Sequence, residues 1–345
     1  MKIAVINSGS SSLKCKIFKM PQKEVIFQKE IENIGEQDSP IKNHHQALNM
    51  LNIDFNQIDA VGHRIVHGGE KLQESCLITD SVIETIKALI PLAPLHNKAN
   101  LEGIYAVKKI NPNIPQIAVF DTAFHSTMPD TSYIYALPYK FYKEYNIRRY
   151  GFHGISHSYL LKEASKELNI DIDKINLITL HLGNGSSACA IKNGKSIDTS
   201  MGFTPLEGLV MGTRCGDIDP QIPIYLSKEL NFSTKKIDTV LNKQSGLYGI
   251  CNENDLRKIE SRDDYFAKLA IKILVKSIQK YIGAYLLLLE RVDAIVFSGG
   301  IGEHSKLIRD SVMDNIVLKD IKSLVIKTDE ELEIAQQCYK LLQGN

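Results

Sequence analysis

The sequence predicts an α/β protein built from two similar domains, on three observations. The chain has 345 residues, about two domains at roughly 100–200 residues each. Short β-branched apolar runs mix with helical periodicities along its whole length, the mark of α/β architecture. A strand–turn–strand pattern also occurs twice at an offset of 176 residues, where Ser8-Gly9-Ser10-Ser11 falls on Asn184-Gly185-Ser186-Ser187.

Residues 2–6 are apolar and β-branched, 13–18 resume an extended pattern, and Asn7-Ser8-Gly9-Ser10-Ser11-Ser12 between them reads as a tight polar turn. Residues 117–120 form a strand that ends at Asp121, and the chain is expected to cross between domains near 121–150. Ser156 is expected to cap a helix that runs to about Leu168. Residues 177–182 are a strand, Gly183-Asn184-Gly185-Ser186-Ser187 its turn, and 188–191 the returning strand. Asn193-Gly194 is a two-residue hairpin signal before 195–197. From 263 to 291, Phe266, Leu269, Ala270, Ile273, Leu274, Ile278, Tyr281 and Ile282 follow a helical period. Residues 292–297 are a strand, Ser298-Gly299-Gly300-Ile301-Gly302-Glu303 a turn, and a helical stretch follows to about Asn315. Thr328-Asp329-Glu330-Glu331 is a capping pattern before a helix to about Leu342.

Composition excludes several classes. With 41 basic and 40 acidic residues the net charge is +1, which leaves neither the basic excess of a nucleic-acid binder nor a polybasic membrane tether. Hydrophobic residues are 43%, against disorder. The cysteines at 15, 76, 189, 215, 251 and 338 form no C-x-x-C, so zinc-ribbon and thioredoxin-like readings fail and reduced thiols are expected. The four apolar residues before Asn7 are too few for a signal-peptide core. The longest apolar stretch, 281–289, falls short of the ~18 residues of a membrane span. The expectation is a cytoplasmic protein with no nucleic-acid or membrane partner.

Three glycine- and serine-rich turns directly follow apolar strands. Such turns offer N–H groups and hydroxyls to phosphate oxygens, which points to a nucleotide. No complete G-x-x-x-x-G-K-[ST] or G-x-G-x-x-G exists, so neither a P-loop nor a dinucleotide fold is supported. Arg64, in Gly62-His63-Arg64-Ile65-Val66-His67-Gly68-Gly69, and Arg214, in Thr213-Arg214-Cys215-Gly216-Asp217, stand beside flexible turns. Arginine binds carboxylate and phosphate bidentately; each could equally serve a structural ion pair. His153 and His157 lie four apart, but His153 precedes Gly154 and the expected cap, so a zinc pair on one helix face is not expected. His153 could donate to a phosphoryl group or be a satisfied core histidine. Asp121 at a strand end is a ligand, Mg²⁺ or base position in an α/β sheet, or else an N-cap.

The ordered set Asn7–Lys14, 62–70, 94–97, 120–125, 149–157, 181–187, 213–220, 297–303 and 328–331 resembles the acetate kinase family of the acetate and sugar kinase/actin superfamily. The resemblance implies two actin-like (ribonuclease H-like) domains with an interdomain active-site cleft. One would comprise 1–122 with a returning C-terminal helix at 331–345. The other, 123–330, would carry most of the nucleotide site. It implies reversible phosphoryl transfer from ATP to acetate, or another short-chain carboxylic acid, with Mg²⁺ or Mn²⁺, in a homodimer. Asn7 and Glu330 would place the metal. Ser10, Ser12 and Lys14 would meet the nucleotide phosphates. His181, Leu182, Gly183, Asn184 and Gly185, with Asp255, Leu256 and Arg257 and with Gly300, Ile301, Gly302, Glu303 and His304, would line the nucleotide site. Arg64, Arg214, His153, Asn184 and Asp121 would be the catalytic set. Arg64, Val66, Leu95, Phe152 and Pro205 would hold the acid.

Three departures from the family pattern stand out. Cys215 replaces its usual serine, His304 its usual asparagine, and the chain is shorter before Arg64 and between Glu303 and Thr328. A propionate or butyrate kinase is the alternative of the same class, because an extra methylene is rejected by only about 1–3 kcal/mol. An actin-like ATPase acting on a protein partner shares the nucleotide turns but leaves Arg64, Arg214 and His153 unexplained.

Overall fold

The computed structural model describes residues 1–9, 11–35, 39–94 and 96–344; the expected contacts Ser10 and Leu95 lie outside the described residues. The chain divides into two units: Met1–Ser126, Gly154–Tyr159 and Asp329–Asn345 form unit 1, and Thr127–His153 and Leu160–Thr328 form unit 2. Relative to the expected boundaries, residues 123–126, 154–159, 329 and 330 group with unit 1.

Unit 1 is built on strands β1 (Lys2–Ser8), β2 (Leu13–Lys19), β3 (Glu24–Ile31), β4 (Ala60–Ile65), β5 (Cys76–Leu77) and β6 (Gln116–Phe120), in the order β3-β2-β1-β4-β6-β5. β1 runs antiparallel to β2 and parallel to β4, and β4 is parallel to β6. β1 is buried on both faces, which is why it reads as a continuous apolar run. Ile3 and Val5 pack with Ile334, Ala335 and Cys338 of helix Glu330–Leu342. Ala4 and Ile6 join Leu13, Cys15, Ala106 and Val107 on the opposite side, with two of these from helix His96–Ile110.

Unit 2 is built on β7 (Leu177–Leu182), β8 (Ser186–Lys192), β9 (Lys195–Thr199), β10 (Ala294–Ser298) and β11 (Ser323–Val325), in the order β11-β10-β7-β8-β9. β7 is antiparallel to β8 and parallel to β10, as β1 is to β2 and β4. The short sequence match at offset 176 is therefore the visible remnant of a repeated topology. The β8–β9 turn is Asn193-Gly194, with φ of 50° and 73°; a two-residue hairpin of this twist needs both residues at positive φ. Helix Tyr265–Leu289 packs against β8, and its Leu274, Ile278 and Ile282 share one core with Ala188 and Ala190 of β8 and Ile178 and Leu180 of β7.

Two expectations need correction. The helix expected to start at Ser156 starts at Gly154 and runs to Leu168. Ser156 is buried in its first turn, and the Gly154 N–H is satisfied by the Asp121 carbonyl at 2.9 Å instead of by a serine cap. The segment after β10 is not an open turn but helix Gly299–His304, because Glu303 Oε1 accepts the Gly299 N–H at 3.1 Å and caps it from within. Ser305 then caps a separate helix, Lys306–Met313.

Candidate active site

In unit 1, parallel pairing sets Arg64 of β4 opposite Val119 of β6, so Asp121, just past β6, falls within reach of the Arg64 side chain. Arg64 Nη2 pairs with Asp121 Oδ2, and Arg64 Nε lies 3.6 Å from Glu330 Oε2. The three acids at 329–331 divide their work. Asp329 accepts the Leu332 N–H as the helix cap, and Asp329 and Glu331 hold Lys16 at 3.2 and 3.0 Å. Of the three, Glu330 is the one at ion-pair distance from Arg64, and the Glu331 charge acts on it from further away. Burial pushes the Asp121 carboxyl up to about 6; Arg64 pulls it down and the Glu330 charge pushes it further up. Burial pulls Arg64 down, but Asp121 and Glu330 together hold it above its ordinary value. Asp121 Oδ1 is buried with no hydrogen-bond partner among the described residues. Two carboxylates with an open oxygen suit a hard cation that keeps most of its waters, as Mg²⁺ and Mn²⁺ do; Asn7 is half-buried near the end of β1, the strand paired in parallel with β4.

Val66 is buried just past β4, where its N–H donates to Asn100 Oδ1 at 3.1 Å. Asn100 Nδ2 reaches back to Ser8 O at 2.9 Å. Asn97, one turn earlier, holds the His67 N–H and carbonyl, each at 3.1 Å. Lys14 pairs with Glu30 at 3.2 Å, and Ser12 closes a turn in which Gly9 N–H donates to Ser12 O at 2.8 Å.

In unit 2, the β7–β8 turn gathers most of the expected residues. Gly183 N–H donates to Gly185 O at 3.1 Å. A Cβ on Gly185 would stand 3.2 Å from the Arg214 guanidinium and 3.5 Å from the His153 ring, so both groups lean on this bare backbone. His153, at φ 56°, bonds Ser187 Oγ through Nδ1 at 2.9 Å and stacks on His181 with ring centres 4.3 Å apart. Arg214 Nη1 donates to Pro205 O at 2.8 Å. Arg214 has no carboxylate partner among the described residues, and burial lowers its pKa. Phe152 is buried beside His153. Asn184 is exposed, and its carbonyl accepts the Gly212 N–H at 3.2 Å.

A cavity of about 560 Å³ lies alongside, lined by Gly183 and Asn184, by Asp255, Leu256 and Arg257, and by Gly300, Ile301 and His304. Asn254, Glu260 and Ser305 complete its wall. Leu182, Gly302 and Glu303 do not line it. Arg257 is tied to Asp255 at 2.7 Å, which holds the Asp255 carboxyl down at about 2.

Several supporting residues escaped the sequence reading. Lys16, Asn100 and Ser187 carry no motif of their own. Arg149 and Glu207 pair at 2.5 Å, Arg149 also holding the carbonyls of Thr199, Ser200 and Met201. Glu207 further accepts from Tyr135, whose oxygen takes the Phe203 N–H at 2.8 Å. This network fixes the loop that carries Pro205.

Residues 2–341 match the model of the acetokinase family. The acetate kinase of Sulfurimonas denitrificans is 49% identical, with all of both chains covered. That alignment runs over 389 positions, so the relative carries segments this chain lacks. The acetate kinase of Campylobacter jejuni subsp. jejuni is 46% identical over all of both chains. Among solved structures, Porphyromonas gingivalis acetate kinase has a TM-score of 0.92 at 38% identity, covering 99% of each chain. A propionate kinase from Francisella tularensis also has a TM-score of 0.92, at 41% identity, covering 97% of this chain and 98% of that one. The chain belongs to the acetokinase family and is a phosphotransferase with a carboxyl group as acceptor.

Proposed function

We propose that this chain transfers the γ-phosphoryl group of ATP to acetate, reversibly, giving acetyl phosphate and ADP. Arg214 carries the reading: a half-buried guanidinium without a carboxylate partner among the described residues, next to His153 at a bare glycine turn. Such a group is built to receive the oxygens of an anion.

Acetate is already a nucleophile, so no base is needed. Its oxygen attacks the γ-phosphorus, and the bond to the β-phosphate oxygen breaks, leaving ADP. Catalysis then rests on position and charge. Arg214, His153 and Asn184 serve the phosphoryl group, Arg64 the carboxylate, and Asp121 orients Arg64. The methyl group falls to Val66, Phe152 and Pro205. The nucleotide falls to the cavity residues, to His181–Gly185 and to Ser12 and Lys14. Asn7 and Glu330 would hold Mg²⁺, whose charge would neutralise the nucleotide phosphates.

The test is acyl-phosphate formation from ATP and Mg²⁺, trapped with hydroxylamine, with acetate, propionate and butyrate in parallel. Highest kcat/KM for acetate is expected. Preference for propionate would favour the second reading, for which the Francisella match speaks. ATP hydrolysis without any acyl phosphate would overturn both.

A homodimer is proposed as well, because helix Gln221–Lys228 buries none of its residues and exposes Ile222, Ile224 and Tyr225. The cytoplasm is the proposed compartment, on the ground that none of the six cysteines forms a disulfide. Among the described residues no helix is long and apolar enough to cross a membrane.

A further inference from the structure

Residues directly opposite one another in an antiparallel pair share a face of the sheet. Lys16 of β2 stands opposite Val5 of β1, and Val5 packs with helix Glu330–Leu342. Lys16 therefore lies on the helix side of the sheet. Its ammonium reaches Asp329 Oδ1 at 3.2 Å and Glu331 Oε2 at 3.0 Å, at the start of that helix. The side chains of Lys16, Asp329 and Glu331 are 19, 29 and 16% exposed, so salt screens this pairing less than it would a surface bridge. Glu330 stands between the two acids in sequence. Among the described residues its ion-pair partner is Arg64, with Nε 3.6 Å from Oε2.

Two cations thus join four carboxylates: Arg64 meets Asp121 and Glu330, and Lys16 meets Asp329 and Glu331. With every group ionised, two negative charges are left over, which one divalent cation balances. The buried oxygen that no hydrogen bond reaches among the described residues, Asp121 Oδ1, belongs to the Arg64 half of the set.

We propose that Lys16 is the positioning residue of the metal site: by holding Asp329 and Glu331 it leaves Glu330 as the one acid of the three presented to a divalent cation. The proposal rests on the assignment of Glu330 to the metal in the phosphotransfer reading. The number of carboxylates tunes the affinity of an oxygen site, and Mg²⁺ at nucleotide sites keeps one or two of them together with waters and phosphates. Lys16 therefore keeps the site weak for the bare ion and suited to one that arrives with a nucleotide.

The test titrates Mn²⁺ alone into the nucleotide-free full chain and reads free Mn²⁺ by electron paramagnetic resonance, with the folding of each variant checked by urea titration. Lys16→Gln is expected to bind Mn²⁺ about five- to tenfold more tightly than the parent, the effect of one positive charge removed beside the site. Lys16→Arg, which keeps the charge, should match the parent. Glu331→Gln removes a negative charge and turns the ammonium toward the remaining acids, so it should weaken binding by about the same factor. A residue needed only to hold the fold would weaken binding when replaced, never strengthen it. Affinity that is unchanged or lower in folded Lys16→Gln, or that rises equally in Lys16→Arg, would overturn the proposal. Should Lys16→Gln fail to fold, Glu331→Gln decides, and unchanged or tighter binding there would overturn it. Glu330→Gln, made in the parent and in Lys16→Gln, tests the underlying assignment. Binding undiminished in both would remove Glu330 from the metal site, whether or not Lys16→Gln gains affinity.

Discussion

At Arg214 a half-buried guanidinium has the Pro205 carbonyl, 2.8 Å away, as its hydrogen-bond partner among the described residues. At Arg64 the guanidinium is held between the carboxylates of Asp121 and Glu330. The two arginines should therefore respond oppositely to leucine. Arg214→Leu removes a half-buried cation that no carboxylate among the described residues neutralises, so thermal unfolding should hold or rise, while kcat falls by about 10³-fold or more. Arg64→Leu leaves the Asp121 carboxylate buried and unpaired, which should cost about 3–5 kcal/mol in urea unfolding in addition to activity. Calorimetry and kinetics on the pair check both, and an Arg214→Leu protein with near-normal kcat would end its phosphoryl role. Asp121 also supplies a pH signature. Its folded pKa, about 6, lies above the ordinary 3.8, so the folded state binds the proton more tightly than the unfolded chain. The stability this contributes is fully present below about pH 4 and is lost as pH rises through about 6. The unfolding free energy of the parent minus that of Asp121→Asn should fall across that window and stay flat above it.

Single elements position these residues. Helix His96–Ile110 acts as a ruler: Asn100 ties the Ser8 carbonyl, at the last residue of β1, and the Val66 N–H, one residue past β4. Asn100→Ala should strand both groups away from water, at about 1–3 kcal/mol for each. The loss should appear in urea unfolding and in a raised KM for the acid. Gly185→Ala tests the β7–β8 turn differently. Its Cβ would press on Arg214 and His153 without meeting backbone, so turnover should drop more than tenfold with melting nearly unchanged. Strands, the Asn193-Gly194 hairpin and the long helix could be read in the sequence because each has a local period or turn chemistry. The start of helix Gly154–Leu168 could not, since its first N–H is satisfied by Asp121, more than thirty residues away in the chain. The helical state of Gly299–His304 was hidden by its glycines, which a carboxylate at Glu303 overrides. Arg64, Asp121 and Arg214 were legible beside glycine turns and strand ends; Asn100 and Glu207 were not, because what makes them matter is a partner distant in sequence.

At the scale of the molecule, a repeat four residues long stood for a duplicated sheet. β3-β2-β1-β4-β6 in unit 1 and β9-β8-β7-β10-β11 in unit 2 have the same order and directions, although the side chains filling their cores differ. Topology is kept by strand pairing and crossover sense, which many sequences satisfy, so a recognisable match survives at the first strand–turn–strand and little of it elsewhere. What the cores leave over is also informative. Helix Gln221–Lys228 has apolar residues at 222, 224 and 225, and all three are exposed, Tyr225 by 60%. An amphipathic helix normally spends such residues on its own core; one that buries none calls for a partner, and the proposed partner is a second copy. Placing a charge at the centre of that patch should break the pair. Sedimentation velocity on the parent protein is expected to give a dimer, and Tyr225→Asp a monomer at micromolar concentration with an unchanged far-ultraviolet spectrum. A parent protein that sediments as a monomer would remove the dimer, and a variant that remains dimeric would move the interface to another face.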